Sequence, residues 1–281
     1  MKKRTSVVPY LLVCTLFCLA TSPVVSQTTP QTQTTPPAQQ AQAGTNDIGQ
    51  VIFNMPKPDQ RQQYIDGRKK HMAWHGSQND KWTWHVFEVL NGEAGGGFIA
   101  TSFDHSWADF DGREQFEAAD QADAATNLAP YLTGAGGGPA FWRLRRDLAR
   151  PSRPVPPPGG APSPLSTVTH FFVIPGTAPD FEEAIKRINA GLDKVNYEGP
   201  QGYWYQLLNG GEGPHYVLVS PRKNFAEMGA TPPMAMRQAL QKAYGQQQGA
   251  ALQQSIGKMC KSIRTEMIRY RPDLSYTPGR K

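Results

Sequence analysis

The sequence predicts an α+β protein: two tandem copies of one β-α-β-β-α-β unit, packed sheet to sheet within a single chain. Three observations predict it. First, Trp84–Phe110 aligns without a gap on Gly202–Met228, at a constant offset of 118 residues. Leu90, Asn91, Gly92, Gly95, Ser102 and Ala108 fall on Leu208, Asn209, Gly210, Gly213, Ser220 and Ala226. Phe87, Phe98, Ile99, Trp107 and Asp109 meet the similar Tyr205, Tyr216, Val217, Phe225 and Glu227. Second, WRLRRDL at 142–148 returns as IRYRPDL at 268–274, an offset of 126, in the same order along the chain. Third, low-complexity stretches at 27–45 and 150–164 bound two blocks, each the size of one small domain. Two matches in one order define a duplication of whole domains, not a solenoid.

Each element has its own signal. QVIFNM at 50–55 is strand-like, and Pro56–His71 carries Tyr64, Ile65 and Met72 at helical spacing after a proline start. WTWHVFEVL at 82–90 is rich in aromatic and β-branched residues, so it is a strand. NGEAGGG closes a hairpin, for which Asn-Gly is a strong signal, and FIATSF at 98–103 is its partner strand. A helix starts near Ser106, and FWRLRRDL at 141–148 is the last strand. The second copy follows suit: TVTHFFVI at 167–174, a helix over Pro179–Val195, GYWYQLL at 202–208, the NGGEGP turn and HYVLVS at 215–220. A long helical region over 233–258 and IRTEMIRYR at 263–271 complete it.

That order is the ferredoxin-like split βαβ unit, an antiparallel sheet with both helices on one face. The other face of a single unit is bare and needs a partner. A tandem copy supplies one, and a proline linker lets the copies meet. The organisation is therefore a signal peptide at 1–26, a Gln/Thr/Pro-rich tether at 27–47, a first unit at 48–149, a linker at 150–165 and a second unit at 166–277.

The pattern resembles the dimeric α/β-barrel superfamily, which includes antibiotic-biosynthesis monooxygenase-like and NIPSNAP-like domains. The resemblance covers both blocks and rests on the element order, the Asn91-Gly92 and Asn209-Gly210 hairpins, and the duplication. It implies an intramolecular pseudo-dimer, monomeric as a chain, with a site between sheet and helices or inside the barrel. Members include cofactor-independent oxygenases, haem-degrading enzymes, chlorite dismutase-like haem proteins and isomerase-like enzymes. The resemblance therefore locates a site without choosing a reaction.

Charge and targeting narrow the classes further. Lys2, Lys3 and Arg4 precede a short apolar core, and VVS before Gln27 fits cleavage near Ser26, so a secreted or periplasmic location is expected. The apolar run is too short for a membrane span. The formal charge of +6 falls to about +3 once the signal is removed, and the basic residues are scattered, which speaks against nucleic acid. Of the three cysteines, Cys14 and Cys18 leave with the signal. Cys260, beside Met259 and Ile263, reads as a buried structural thiol.

Candidate chemistry sits in three places. His71 and His75, four apart, are the only candidate metal ligands; without a third ligand nearby in sequence, the plainer reading is a solvated helix C-terminus, and no metal is predicted. In the strand at 82–90, His85, Phe87 and Val89 share one face and Trp84, Val86 and Glu88 the other; Tyr203 and Tyr205 match the first, Trp204 and Gln206 the second. His85 and Glu88 are the candidate catalytic groups. Trp84, Phe87, Tyr203, Trp204, Tyr205 and His215 are the expected lining of an aromatic ligand cavity. On the last strands, Arg143, Arg145, Arg269 and Arg271 oppose apolar neighbours. The apolar side is expected under the helices, leaving the arginines to hold an anion, pair with acids across the interface or protect strand edges.

The resulting expectation is a small apolar or anionic ligand carried in that cavity. One alternative is a cofactor-independent monooxygenase or a haem-dependent enzyme. Another is a cell-envelope interaction protein. No cofactor is predicted; haem enters only through the resemblance, with His85 or His215 as its iron ligand.

Overall fold

In the computed structural model each half contributes four strands. The first half holds β1 (Ile48–Asn54), β2 (His85–Val89), β3 (Phe98–His105) and β4 (Ala140–Leu144). The second holds β5 (Leu165–Val173), β6 (Tyr203–Asn209), β7 (His215–Arg222) and β8 (Cys260–Tyr270). The helices are α1 (Arg61–Ser77), α2 (Trp107–Asp111), α3 (Glu114–Asn127), α4 (Ala178–Lys194), α5 (Met236–Tyr244) and α6 (Gln246–Lys258). The structure describes residues 46–134, 138–155 and 160–279, all within one compact unit. The signal peptide with Cys14, Cys18 and the Ser26 cleavage point, the tether to residue 45 and linker residues 156–159 lie outside the described residues.

The strands close into one antiparallel barrel in the order β1-β3-β2-β8-β5-β7-β6-β4. Each half keeps the ferredoxin-like order, and the halves join where β2 pairs β8 and β4 pairs β6. The sheets therefore cover each other's faces and also consume each other's edges, which closure alone achieves. The duplication holds residue by residue: Phe87 pairs Ile99 as Tyr205 pairs Val217, and Val86 pairs Ala100 as Trp204 pairs Leu218. Gly92 and Gly210 both sit at positive φ, 81° and 91°, as the two hairpin turns require.

Three apolar layers result. Under the first-half helices lie Tyr64, Met72, Trp82, Trp84, Val86 and Phe98; under the second-half helices lie Phe171, Phe181, Ile185, Trp204 and Tyr216. Val89, Trp142, Val168, Val217 and Ile268, with Phe87, Phe103, Tyr205 and Leu207, fill the barrel between them. The long helix expected over 233–258 is two helices, because Gly245 at φ 87° turns the chain between α5 and α6. The linker begins docked: Arg150 bonds Asp193 of α4 and the Tyr197 carbonyl. Among the described residues no helix is long and apolar enough to cross a membrane.

Candidate metal centre

The polar heart of the molecule is under α1, outside the barrel. Helical spacing puts His71 and His75 on one face, and that face is buried, with the two residues 4% and 1% exposed. The solvated helix end expected from sequence is therefore corrected. The chain turns inward there because Asn79 at φ 52° stops α1 and folds Asp80 back against it. Asp80 is itself buried. The helix α3 supplies the missing third group. Its inner face carries Phe116, Asp120 and Asp123 at i, i+4 and i+7. Gly67 lets α3 close in, since a Cβ there would stand 1.9 Å from the Asn127 carbonyl oxygen.

The hydrogen bonds fix the tautomers. His75 Nδ1 lies 2.8 Å from Asp80 Oδ2, and His71 Nδ1 lies 2.7 Å from Asp123 Oδ2. Asp80 also accepts both ends of the Arg113 guanidinium, at 2.7 and 2.9 Å, the Trp82 amide at 3.1 Å and the Trp84 indole at 3.3 Å. Burial raises the pKa of Asp80, but the hydrogen bonds from His75 and Arg113 outweigh it and hold the carboxyl well below its usual range. With each Nδ1–H given to its carboxylate, a neutral imidazole presents its Nε2 lone pair on the other side.

Those two lone pairs meet. The Nε2 atoms are 3.3 Å apart, and Asp120 Oδ1 stands 3.3 Å from one and 3.4 Å from the other. Asp120 Oδ1 is buried without a hydrogen-bond donor. Two imidazole nitrogens and a carboxylate oxygen thus converge on one point. The group is the one cluster of this kind among the described residues. A tetrahedral ion with bonds of about 2.0–2.1 Å separates its ligand atoms by roughly 3.3–3.4 Å, the spacing seen here. Carboxylates behind both imidazoles are the outer partners that orient histidine ligands on a metal. Burial, and then the nearby Arg68 charge, lower His71 to about 3, while burial raises Asp120 to about 6. Trp74, Phe116, Trp84 and Tyr276 pack around the imidazoles as an apolar shell.

The other expected site residues are dispersed. Phe87, Tyr205 and Leu207 face the barrel interior as one face of their strands, and their rings pack on neighbours: Phe87 on Tyr270 at 5.6 Å and Tyr205 on Phe103 at 5.0 Å. Tyr203 shares that strand face and is half-buried. His85 also lies on it, edge-on to Tyr270. Trp84 and Trp204 belong to the two helix-side cores, so they line no common cavity. Glu88 is gripped by Arg61 at 2.6 Å and Arg271 at 3.2 Å, which ties it to ion pairing.

The arginine strands are turned the other way from the expectation. Trp142 and Ile268 enter the barrel, because its interior is the apolar space that β4 and β8 share. Arg145 instead pairs with Asp147, Glu182 and Gln206, and Arg271 with Asp273 and Glu88. Each reaches from one half to the other, pairing with an acid across the interface. Arg143 and Arg269 are exposed, Arg269 with its guanidinium 5.9 Å from the Phe225 ring.

His215 closes one end of the barrel. Its Nε2 is 3.0 Å from His170 Nδ1, His170 Nε2 is 3.4 Å from Glu266, and Phe172 stacks on it at 4.1 Å. Burial, then His170 and Arg264, lower it to about 3, so it stays neutral and is a weak base. Cys260 is half-buried, its thiol donating to the Ile256 carbonyl.

No family model matches the sequence, and no curated protein matches it. Solved structures do. An anthrone oxidase-like protein superposes with a TM-score of 0.55 at 12% identity, over 84% of this chain and 95% of that one. A putative monooxygenase from Lactobacillus acidophilus follows at 0.49 and 11%, over 84% and 98%. A mutant chlorite dismutase from Candidatus Nitrospira defluvii gives 0.47 and 10%, over 82% and 93%. At such identities the likeness concerns the fold. The chain has the fold predicted from its sequence, two ferredoxin-like units closed into one eight-stranded antiparallel barrel.

Proposed function

We propose that the chain is a metalloprotein in which His71, His75 and Asp120 hold one divalent transition ion of the zinc or ferrous class. The observation that carries this reading is the convergence of two imidazole nitrogens and a carboxylate oxygen, 3.3–3.4 Å apart, inside the protein. Such an arrangement is repulsive until a cation occupies its centre. Two histidines and one carboxylate form an open ligand set, whereas structural zinc sites are closed by four protein ligands. The Asp120 side chain is 14% exposed, so solvent reaches this edge. An ion here is therefore placed to take water or a small substrate, and the centre supports an enzyme reading over passive carriage.

The cavity carrier expected from sequence receives less support, since the aromatic faces pack on one another. Haem held by His215 would require displacing His170 and parting Phe172 from the ring, so no step is derived through it. Export by the N-terminal signal belongs to the proposal and is tested by the first residue of the mature protein, expected at Gln27. The metal reading is tested by elemental analysis of full-length protein purified without chelators. About one equivalent per chain is expected, lost in His71→Ala and Asp120→Ala. Stoichiometric metal that survives both substitutions would refute the assignment.

A further inference from the structure

We propose that Arg68 is the anion seat of the metal centre, and that its fork binds a carboxylate one oxygen of which also reaches the ion; this rests on the metal reading above. Arg68 lies one turn before His71 on the inner face of α1 and is 3% exposed. Its Nε and Nη2 are both buried, with no hydrogen-bond acceptor. These two atoms form the side-on fork of a guanidinium. Elsewhere in this molecule the same fork is filled: Arg145 grips Asp147 through Nε and Nη2 at 2.8 and 2.7 Å, and Arg271 grips Asp273 at 2.9 and 2.8 Å. Both of those forks hold a planar carboxylate in bidentate fashion. The fork of Arg68 is the buried one, where an unmatched cation is most costly.

Neighbouring atoms extend the pattern. Tyr64, one turn earlier, has a buried hydroxyl without a hydrogen-bond partner, and so does the Gln60 side-chain oxygen. Asn54 lies near the Tyr64 hydroxyl but outside hydrogen-bond geometry. With Asp120 Oδ1, five of the seven unpartnered buried side-chain atoms among the described residues follow this one face of α1 and the α3 residue opposite. Residues three and four apart on a helix are neighbours, about 5–6 Å between Cβ atoms. Arg68 and His71 are therefore neighbours on one buried helix face. The fold does not require the arginine. The equivalent position on α4 is Ile185, buried in an apolar core.

The test uses full-length protein loaded with cobalt(II), whose visible bands report its ligands, titrated with acetate and with oxalate. Wild type is expected to give a saturable band shift. Arg68→Met should keep cobalt and weaken the carboxylate about tenfold or more, with Arg68→Lys between them. Metal-free Arg68→Met should melt no lower than wild type, because an apolar chain replaces an unpaired buried charge. Cobalt binding without any carboxylate response, or an equal response in Arg68→Met, overturns the proposal and leaves the metal reading standing. If cobalt does not bind, the metal reading fails. In that event acetate that raises the melting temperature of wild type but not of Arg68→Met still supports the anion seat, and no rise overturns it.

Discussion

The two halves share a fold and differ in what they put beneath their first helix. The α1 and α4 ends match closely: Asn79 and Asn196 stop them at φ 52° and 51°, and the Asp80 and Tyr197 amides bond the His75 and Leu192 carbonyls at 3.0 and 2.9 Å. With that register, Tyr64, Arg68, His71 and His75 correspond to Phe181, Ile185, Ile188 and Leu192. The second half packs apolar side chains there against α5 and α6. The first half places a charge, two imidazoles and three carboxylates in the same niche. One polypeptide thus contains its own control. The niche folds well when apolar, so the polar version is not a demand of the architecture, and buried polar clusters at such cost mark functional sites.

Swapping the first half toward the second is the strongest way to break this comparison. The triple substitution Arg68→Ile, His71→Ile and His75→Leu should cut zinc affinity by a thousandfold or more, roughly 4 kcal/mol. Its metal-free fold should stay cooperative, with a melting temperature lowered only by the Asp80 and Asp123 hydrogen bonds it gives up. A collapse of the fold would instead make the cluster structural. Next in size is Asp80→Ala, which leaves the buried Arg113 guanidinium with Glu117 as its remaining acid, at 3.0 Å, and should cost about 3 kcal/mol in denaturant unfolding. A loss below 1 kcal/mol, measured the same way, would show that Glu117 and water satisfy Arg113 without Asp80.

Acid response should come from both halves. Burial lowers His105 to about 4 and His215 to about 3, against an ordinary value near 6.5. A depressed histidine binds fewer protons folded than unfolded. Its stabilising share is complete above pH about 6.5 and is lost as pH falls toward those values, at up to about 1.4 kcal/mol per pH unit each. Urea midpoints that stay level from pH 6.5 to 4 contradict this. The smallest effect tests the symmetry of the joint. Arg271→Met and Arg145→Met remove equivalent cross-half ion pairs, each partly exposed and each worth about 1 kcal/mol. Arg145, with Asp147, Glu182 and Gln206 around it, should cost more than Arg271. The reverse order would mean the two joints are not equivalent.

The architecture was legible because it is local and repeated. Asn-Gly turns, period-two strands and a fixed offset need only neighbours in sequence, and they placed both hairpins correctly. Strand faces were harder. Alternation separates Trp84 from His85 but does not say which side the helices take, and Trp142 went to the barrel against expectation. The metal centre was half visible. His71 and His75 declare themselves by spacing, yet Asp120 arrives from a separate helix 45 residues further on, where no sequence spacing ties it to the histidines. The signal available was the i, i+4, i+7 row of Phe116, Asp120 and Asp123 on α3. Arg68 carried no signal, since an exposed and a buried arginine look alike in sequence.

The most direct measurement is calorimetric titration of zinc into the metal-free full-length protein, beside Asp120→Ala. The account predicts one site per chain in the wild type, and a loss of at least a hundredfold in affinity, about 2.7 kcal/mol, when the carboxylate is removed. No binding by the wild type, or binding that ignores Asp120, would contradict it and return the cluster to the role of a buried hydrogen-bond network.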